Sequence, residues 1–221
     1  MAAPADPSEI FDDPGLIALC EAAQRGDAAQ VRALKAAGVD LNAQGKLGVT
    51  PALWATIHRN PLALRILLDA GADPDLTDDE GHPPLEWAVW FDDPSFIETL
   101  LAHGADPNIR THLDEPVLLE AIDHDHWSYV EALLDAGADV NATTKTGETA
   151  LLRLATANQF EHVAQLIERG ADYKKADATG GTVALYVEQA CIDPASRNAS
   201  WRERVQTMLE RRGMEFPVPR P

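Results

Sequence analysis

The sequence predicts an all-α fold: a solenoid of about six helix-turn-helix units joined by extended loops, with atypical units capping both ends. Three observations carry that prediction. Gly38, Gly71, Gly104, Gly137 and Gly170 follow one another at a constant 33 residues. A second marker, typified by Thr50-Pro51-Ala52-Leu53-Trp54-Ala55, holds the same register twelve residues after the glycines. Between the markers paired leucines recur, Leu67-Leu68, Leu100-Leu101 and Leu133-Leu134, and helical spacing sets them on one buried stripe. A constant period of this length is the signature of stacked structural repeats.

Each element follows in order along one unit. Thr50 can cap the first helix and Pro51 suits its first turn, where a backbone N–H has no partner in any case. Pro83-Pro84-Leu85-Glu86-Trp87-Ala88 repeats the marker, and weaker copies begin at Pro116, Thr149 and Thr182. After the second helix each glycine supplies a left-handed cap, and the Asp that follows in Gly71-Ala72-Asp73 and its copies suits a tight turn. A two-helix unit cannot bury both of its faces alone, so stability must come from stacking neighbours into one continuous core. The organisation expected is an N-terminal extension over residues 1–15, a repeat domain over 16–213 and a C-terminal tail over 214–221. Gly170 to Gly213 spans 43 residues, and the excess falls in an insertion near residues 191–200. Cys20 and Cys191 then lie in opposite end units, beyond disulfide reach.

The 33-residue period combined with Thr-Pro-Ala-Leu-Trp-Ala and Gly-Ala-Asp resembles the ankyrin repeat family, from about Leu16 to Gly213. The resemblance implies a protein-binding module that uses loop tips and the inner helix ends of a concave face. Carried onto this sequence, the loop tips are Lys46, Leu47 and Val49, then Asp79, Glu80 and His82, then His112, Leu113 and Glu115. The helix ends are Ile57 and His58, then Trp90, Phe91 and Asp92, then Asp123 and His124. Trp90 and Phe91 stand out as adjacent large aromatics, which make frequent binding anchors; the competing reading is that they pack against a neighbouring helix end. Trp54 and Trp87 read as core, and Trp127 and Trp201 as packing of second helices.

The chain offers little that looks catalytic. It has no Gly-Lys-Ser/Thr phosphate loop, no Gly-x-Ser-x-Gly elbow and no His-Glu-x-x-His pair, so no catalytic, cofactor-binding or metal-binding residue is expected. Asp123-His124-Asp125-His126 is the nearest approach to a metal motif and reads as a solvated turn, because structural zinc wants Cys or His at other spacings. Asp73, Asp75, Asp78, Asp79 and Glu80 lack the ligand order of a calcium loop and read as an acidic loop tip.

Among 221 residues, 36 are acidic and 18 basic, for a net charge of −18, while 45% are hydrophobic. The apolar share can form a core and excludes wholesale disorder; the charge repels nucleic acids and anionic membranes. No apolar run reaches the roughly 18 residues of a membrane helix. Placed on the repeat register the charge is local: between Ile66 and Thr144 only Arg110 opposes nineteen acids, and the remainder balances at 17 and 17. Part of that run belongs to repeat turns and solvated faces. The rest predicts a protein partner with a basic patch and an apolar knob, associating fast and in a salt-sensitive manner.

A narrower resemblance rests on Phe11-Asp12-Asp13-Pro14-Gly15-Leu16, on the stretch from Asn42 to Ala55, and on Trp201-Arg202-Glu203-Arg204 in the interrupted last unit. These look like bacterial ankyrin proteins encoded beside antibacterial type VI secretion lipases. That resemblance implies an immunity protein whose partner is a secreted lipase effector. It also implies a periplasmic location if a leader has been removed, a reading that Met1-Ala2-Ala3-Pro4 fits, and a cytoplasmic one if Met1 is the native start. A regulatory or host-directed scaffold is the alternative from another class.

Overall fold

The short-range signals act as their chemistry dictates. In the computed structural model, which describes residues 6–218, Thr50 Oγ1 accepts the Leu53 N–H at 3.2 Å, and Thr149 and Thr182 accept from Leu152 and Leu185 at 3.2 and 3.3 Å. Each closes a helix end that would otherwise leave a donor unpaired. Asn60 and Asp27 do the same for second helices, accepting from Ala63 and Gln30 at 3.0 and 2.9 Å. Residues 1–5, on which the leader reading rests, and 219–221 of the tail lie outside the described residues.

Six helix pairs result: α1 (Pro14–Gln24) with α2 (Ala28–Ala36), α3 (Pro51–Ile57) with α4 (Pro61–Asp69), α5 (Pro84–Val89) with α6 (Pro94–Ala102), α7 (Val117–Asp123) with α8 (Trp127–Asp135), α9 (Ala150–Thr156) with α10 (Phe160–Glu168), and α11 (Val183–Gln189) with α12 (Arg197–Glu210). The first helices pack on one another in sequence from α1 to α11, and second helices form the other layer. After α4, the Ala72 N–H reaches back to Leu67 O at 3.0 Å and the Gly71 N–H to Leu68 O at 2.8 Å. Ala105, Ala138 and Ala171 repeat the first of these bonds to Leu100, Leu133 and Leu166 at 3.0, 2.9 and 2.9 Å. The motif needs a left-handed residue between, which costs an L side chain roughly 1–2 kcal/mol. At Gly104 a side chain would meet open space, so the φ of 86° and not crowding demands the glycine.

Loops stack as regularly as helices. The Asp73 N–H donates to Asn42 Oδ1 at 2.8 Å, Asp106 to Asp75 at 3.0 Å, Asp139 to Asn108 at 2.7 Å and Asp172 to Asn141 at 2.7 Å. Isolated bridges Arg110–Pro116, Thr143–Thr149 and Ala176–Thr182 hold the extended loops as narrow hairpins. The core runs unbroken from Phe11 to Leu209. Phe11, in the predicted extension, is buried beneath α1. Trp54 is fully buried as expected, while Trp87, Trp127 and Trp201 are half-buried against the core. In the last unit the loop from 190 to 196 is long, and α12 has 14 residues where α10 has 9, so the insertion is shared between loop and helix. Cys20 is buried and Cys191 exposed, both free; burial pushes the Cys20 thiol up to about 12. No helix among the described residues is long and apolar enough to cross a membrane.

Candidate partner-binding face

The first helices α3, α5 and α7 end within one residue of the same repeat register, so their C-caps fall on one edge of the stack. His58 caps α3, Trp90 caps α5 and His124 caps α7. Beside them lie the hairpin tips. Leu47 sits on a left-handed residue with φ 59° at the tip between α2 and α3, 73% exposed, and Leu113 occupies the equivalent position two units on, 64% exposed. The tips are laced together, the Asp79 N–H donating to Leu47 O at 2.9 Å.

The predicted residues thus separate. Leu47, His58, Asp79, Glu80, Asp92, His112, Leu113, Asp123 and His124 are exposed, and Ile57, Trp90 and Glu115 are half-buried. His82 and Phe91 are buried, 8% and 4% exposed. Phe91 is therefore not a surface anchor. It follows the α5 cap where the chain reverses into α6, so its ring drops onto Phe96 edge-on at 5.3 Å, with the Arg59 guanidinium 4.3 Å above it. Its carbonyl accepts the Tyr129 hydroxyl at 2.8 Å. Trp90 keeps one edge outward: its Nε1–H donates to Glu120 Oε1 at 2.7 Å, and its ring meets Trp87 at 5.0 Å.

Part of the acidic wall is paired within the chain. Arg153, from α9, contacts Asp123 at 2.6 Å, Glu148 at 2.7 Å and Glu115 at 3.4 Å. Asp114 pairs with Arg110 at 2.5 Å and with Lys145 at 3.2 Å, which holds its carboxyl below the usual range. Asp135 meets Arg169 at 2.6 Å. Arg110 is already counted within the stretch, so Lys145, Arg153 and Arg169 offset only a small part of its net charge from within the chain. Asp79, Glu80 and Asp92 remain exposed at the tips and helix end.

The Asp123–His126 turn is exposed at Asp123, His124 and Asp125, and its histidines are also hydrogen-bonded. His126 Nδ1 donates to Val89 O at 3.0 Å, and His124 Nε2 lies 3.2 Å from Glu120. Asp73, Asp75 and Asp78 accept the N–H groups of Asp75, Asp106 and Glu80 and so are occupied in turns. Sequence reasoning missed a second cluster altogether. Glu86 is fully buried, its Oε1 is 2.5 Å from His112 Nδ1, and its Oε2 accepts the His112 N–H at 2.9 Å. His82 packs over His112 with ring centroids 4.1 Å apart. The signal was present: the register of Glu86 otherwise holds Leu53, Leu119, Leu152 and Leu185.

Comparison with known proteins agrees with this geometry. The model for ankyrin repeats (3 copies) matches residues 19–111, and the single ankyrin repeat model matches 116–145. No curated protein matches the chain in sequence. Among solved structures, the ankyrin repeat domain of Bcl-3, a member of the IkappaB protein family, is 28% identical with a TM-score of 0.68, over 87% of this chain and 81% of that one. A chain from the complex of the Bd0816 predatory endopeptidase from Bdellovibrio bacteriovorus with immunity protein Bd3460 is 28% identical with a TM-score of 0.63, over 85% of this chain and 97% of that one. The ankyrin repeat protein EF0377 shares the fold at 23% identity and a TM-score of 0.66, over 88% and 97% of the two chains. With the period, the glycine caps, the stacked hairpins and the matched family models in accord, the chain belongs to the ankyrin repeat family, whose fold is in general a scaffold for protein interaction.

Proposed function

We propose that the chain is an immunity protein, a rigid wall that binds one antibacterial effector and covers its active site without doing chemistry of its own. The exposed leucine pair, Leu47 and Leu113, carries the assignment of the binding face. Large apolar side chains held out at equivalent loop tips, with the Trp90 edge between their units, are what a protein interface takes as anchors. The immunity role is supported by likeness to a chain of an effector–immunity complex over nearly that chain's whole length. Exposed Asp79, Glu80 and Asp92 suit a partner with a smaller basic patch than the bulk charge suggests.

The resemblance to proteins encoded beside type VI lipases makes a lipase the first effector to test. The chain is mixed with the product of the neighbouring gene and passed over a sizing column, and the two are co-produced in a sensitive strain in the compartment where the effector acts. A stable complex with relief of toxicity is expected; unchanged toxicity sinks the immunity role. The likeness to the Bcl-3 ankyrin repeat domain is of equal identity, and a regulatory or host-directed scaffold is the second reading. A complex with a partner that is not toxic would select it.

A further inference from the structure

Glu86 presents a carboxylate, 0% exposed, in a register where the unit before and the next two bury Leu53, Leu119 and Leu152. Burying a charge there is costly and calls for a compensating cation. Two further departures from the repeat converge on it. His82 stands in the register of Val49, and His112 stands at the next hairpin tip. One donor atom from each of the three lies within 4.8 Å of the other two. His82 Nδ1 is 3.2 Å from both Asp78 carboxylate oxygens, which places a proton on Nδ1 and makes Nε2 the nitrogen to offer an ion. A carboxylate that orients a histidine in this way is the outer partner found behind metal-bound imidazoles.

We propose that His82, Glu86 and His112 bind one divalent transition-metal ion of the zinc class, with Asp78 behind His82. Two imidazoles and a carboxylate suit zinc, whereas calcium and magnesium want oxygen ligands in greater number. Zinc bonds of about 2.0–2.1 Å in a tetrahedron set ligand atoms roughly 3.3 Å apart, so the trio needs shifts of about an ångström. His112, on a loop tip with its side chain 28% exposed, can turn to make them. On binding, the proton shared between His112 Nδ1 and Glu86 leaves to solvent and the ion takes its place. Water, or a donor from a partner, completes the fourth position at the open tip. Trp87 and Trp90, with rings 5.7 and 5.9 Å from His82, wall the other side.

The test uses tag-free, chelator-treated full chain. Calorimetric titration with Zn2+ is expected to give one ion per chain. His82→Ala and His112→Ala each weaken it at least tenfold, while His124→Ala, outside the trio, leaves it unchanged; circular dichroism checks each fold. Titration of the wild-type chain with Co2+ reads the ligand set without any substitution, intense visible bands marking four-coordination, with quenching of Trp87 and Trp90 emission alongside. No uptake of Zn2+, uptake equal in all variants, or only the weak spectrum of six-coordinate Co2+ overturns the proposal and leaves a hydrogen-bonded cluster.

Discussion

Arg153 Nη1 lies 2.6 Å from Oδ2 of Asp123, and the same guanidinium holds Glu148 and Glu115, so one cation ties α9 to the end of α7 and to two hairpins. Burial raises the Asp123 carboxyl above its usual range; Arg153 opposes that, and Glu120, Glu115 and Glu148 add to it. Arg153→Met keeps the volume and removes the charge, leaving neighbouring carboxylates to repel. We expect a loss of about 2 kcal/mol at neutral pH, seen as a melting temperature lower by roughly 4–8 °C. Because ionised carboxylates cause the loss, it fades as pH falls through their range. A loss of equal size in acid would show that packing alone is at work.

Asp75 is the odd member of the loop ladder, doing with a charge what Asn42, Asn108 and Asn141 do without one. Burial raises its carboxyl above the ordinary value, Asp73 and Asp106 add to the rise, and the Asp106 N–H works against it. A raised folded value means that the protonated form contributes stability at low pH, lost as pH climbs through that value. Asp75→Asn keeps the hydrogen bond and stays neutral throughout. A gain of under about 1 kcal/mol after solvent screening is expected at neutral pH, vanishing in acid. Paired thermal melts at the two pH values check it, and a destabilised variant would refute the account.

The repeat was legible because glycine, proline and threonine act through backbone geometry alone, and the period copied those signals unit after unit. Side-chain pairing was not, because a solenoid brings together residues about one unit apart. The acidic stretch was closed at Thr144, yet Lys145, Arg153 and Arg169, just past it, reach back to Asp114, Asp123 and Asp135. Counting charge along the chain therefore misses three cations, one unit on, that pair with part of it. Phe91 was misplaced for a related reason: whether a residue after a helix cap turns in or out depends on Phe96 and Arg59, which no local pattern fixes. Leu47 and Leu113 stand exposed at hairpin tips, where the register alone sets them.

The exposure of those two leucines separates binding from stability. Leu47→Asp with Leu113→Asp adds charge where the side chains touch little of the core, and Asp tolerates the left-handed backbone at position 47. The double variant is expected to melt with the wild type and to bind its partner at least tenfold more weakly. Phe91→Ala is expected to do the reverse, losing about 3 kcal/mol of stability through the cavity it leaves, with affinity retained by the folded fraction. Calorimetry and thermal melts on both variants check this; unaltered affinity in the leucine variant would move the interface off the tips.

His103 links two second helices through its charge. Its Nδ1 faces Thr99 O at 2.8 Å and its Nε2 faces Asp69 Oδ1 at 2.9 Å, and since both partners accept, both ring nitrogens must donate. The bond to Asp69 raises its pKa above the ordinary value, against burial and the nearby Arg65. A histidine raised in the folded state contributes fully below its unfolded value of about 6.5 and loses that contribution as pH rises through the folded one. The site also lies at the C-terminus of α6, where a cation meets the helix dipole. His103→Gln is therefore expected to cost up to about 1 kcal/mol below pH 6.5 and close to nothing well above it. Urea denaturation midpoints across that range measure the difference, and a cost that does not change with pH would mean that the ring acts through packing and not through its charge.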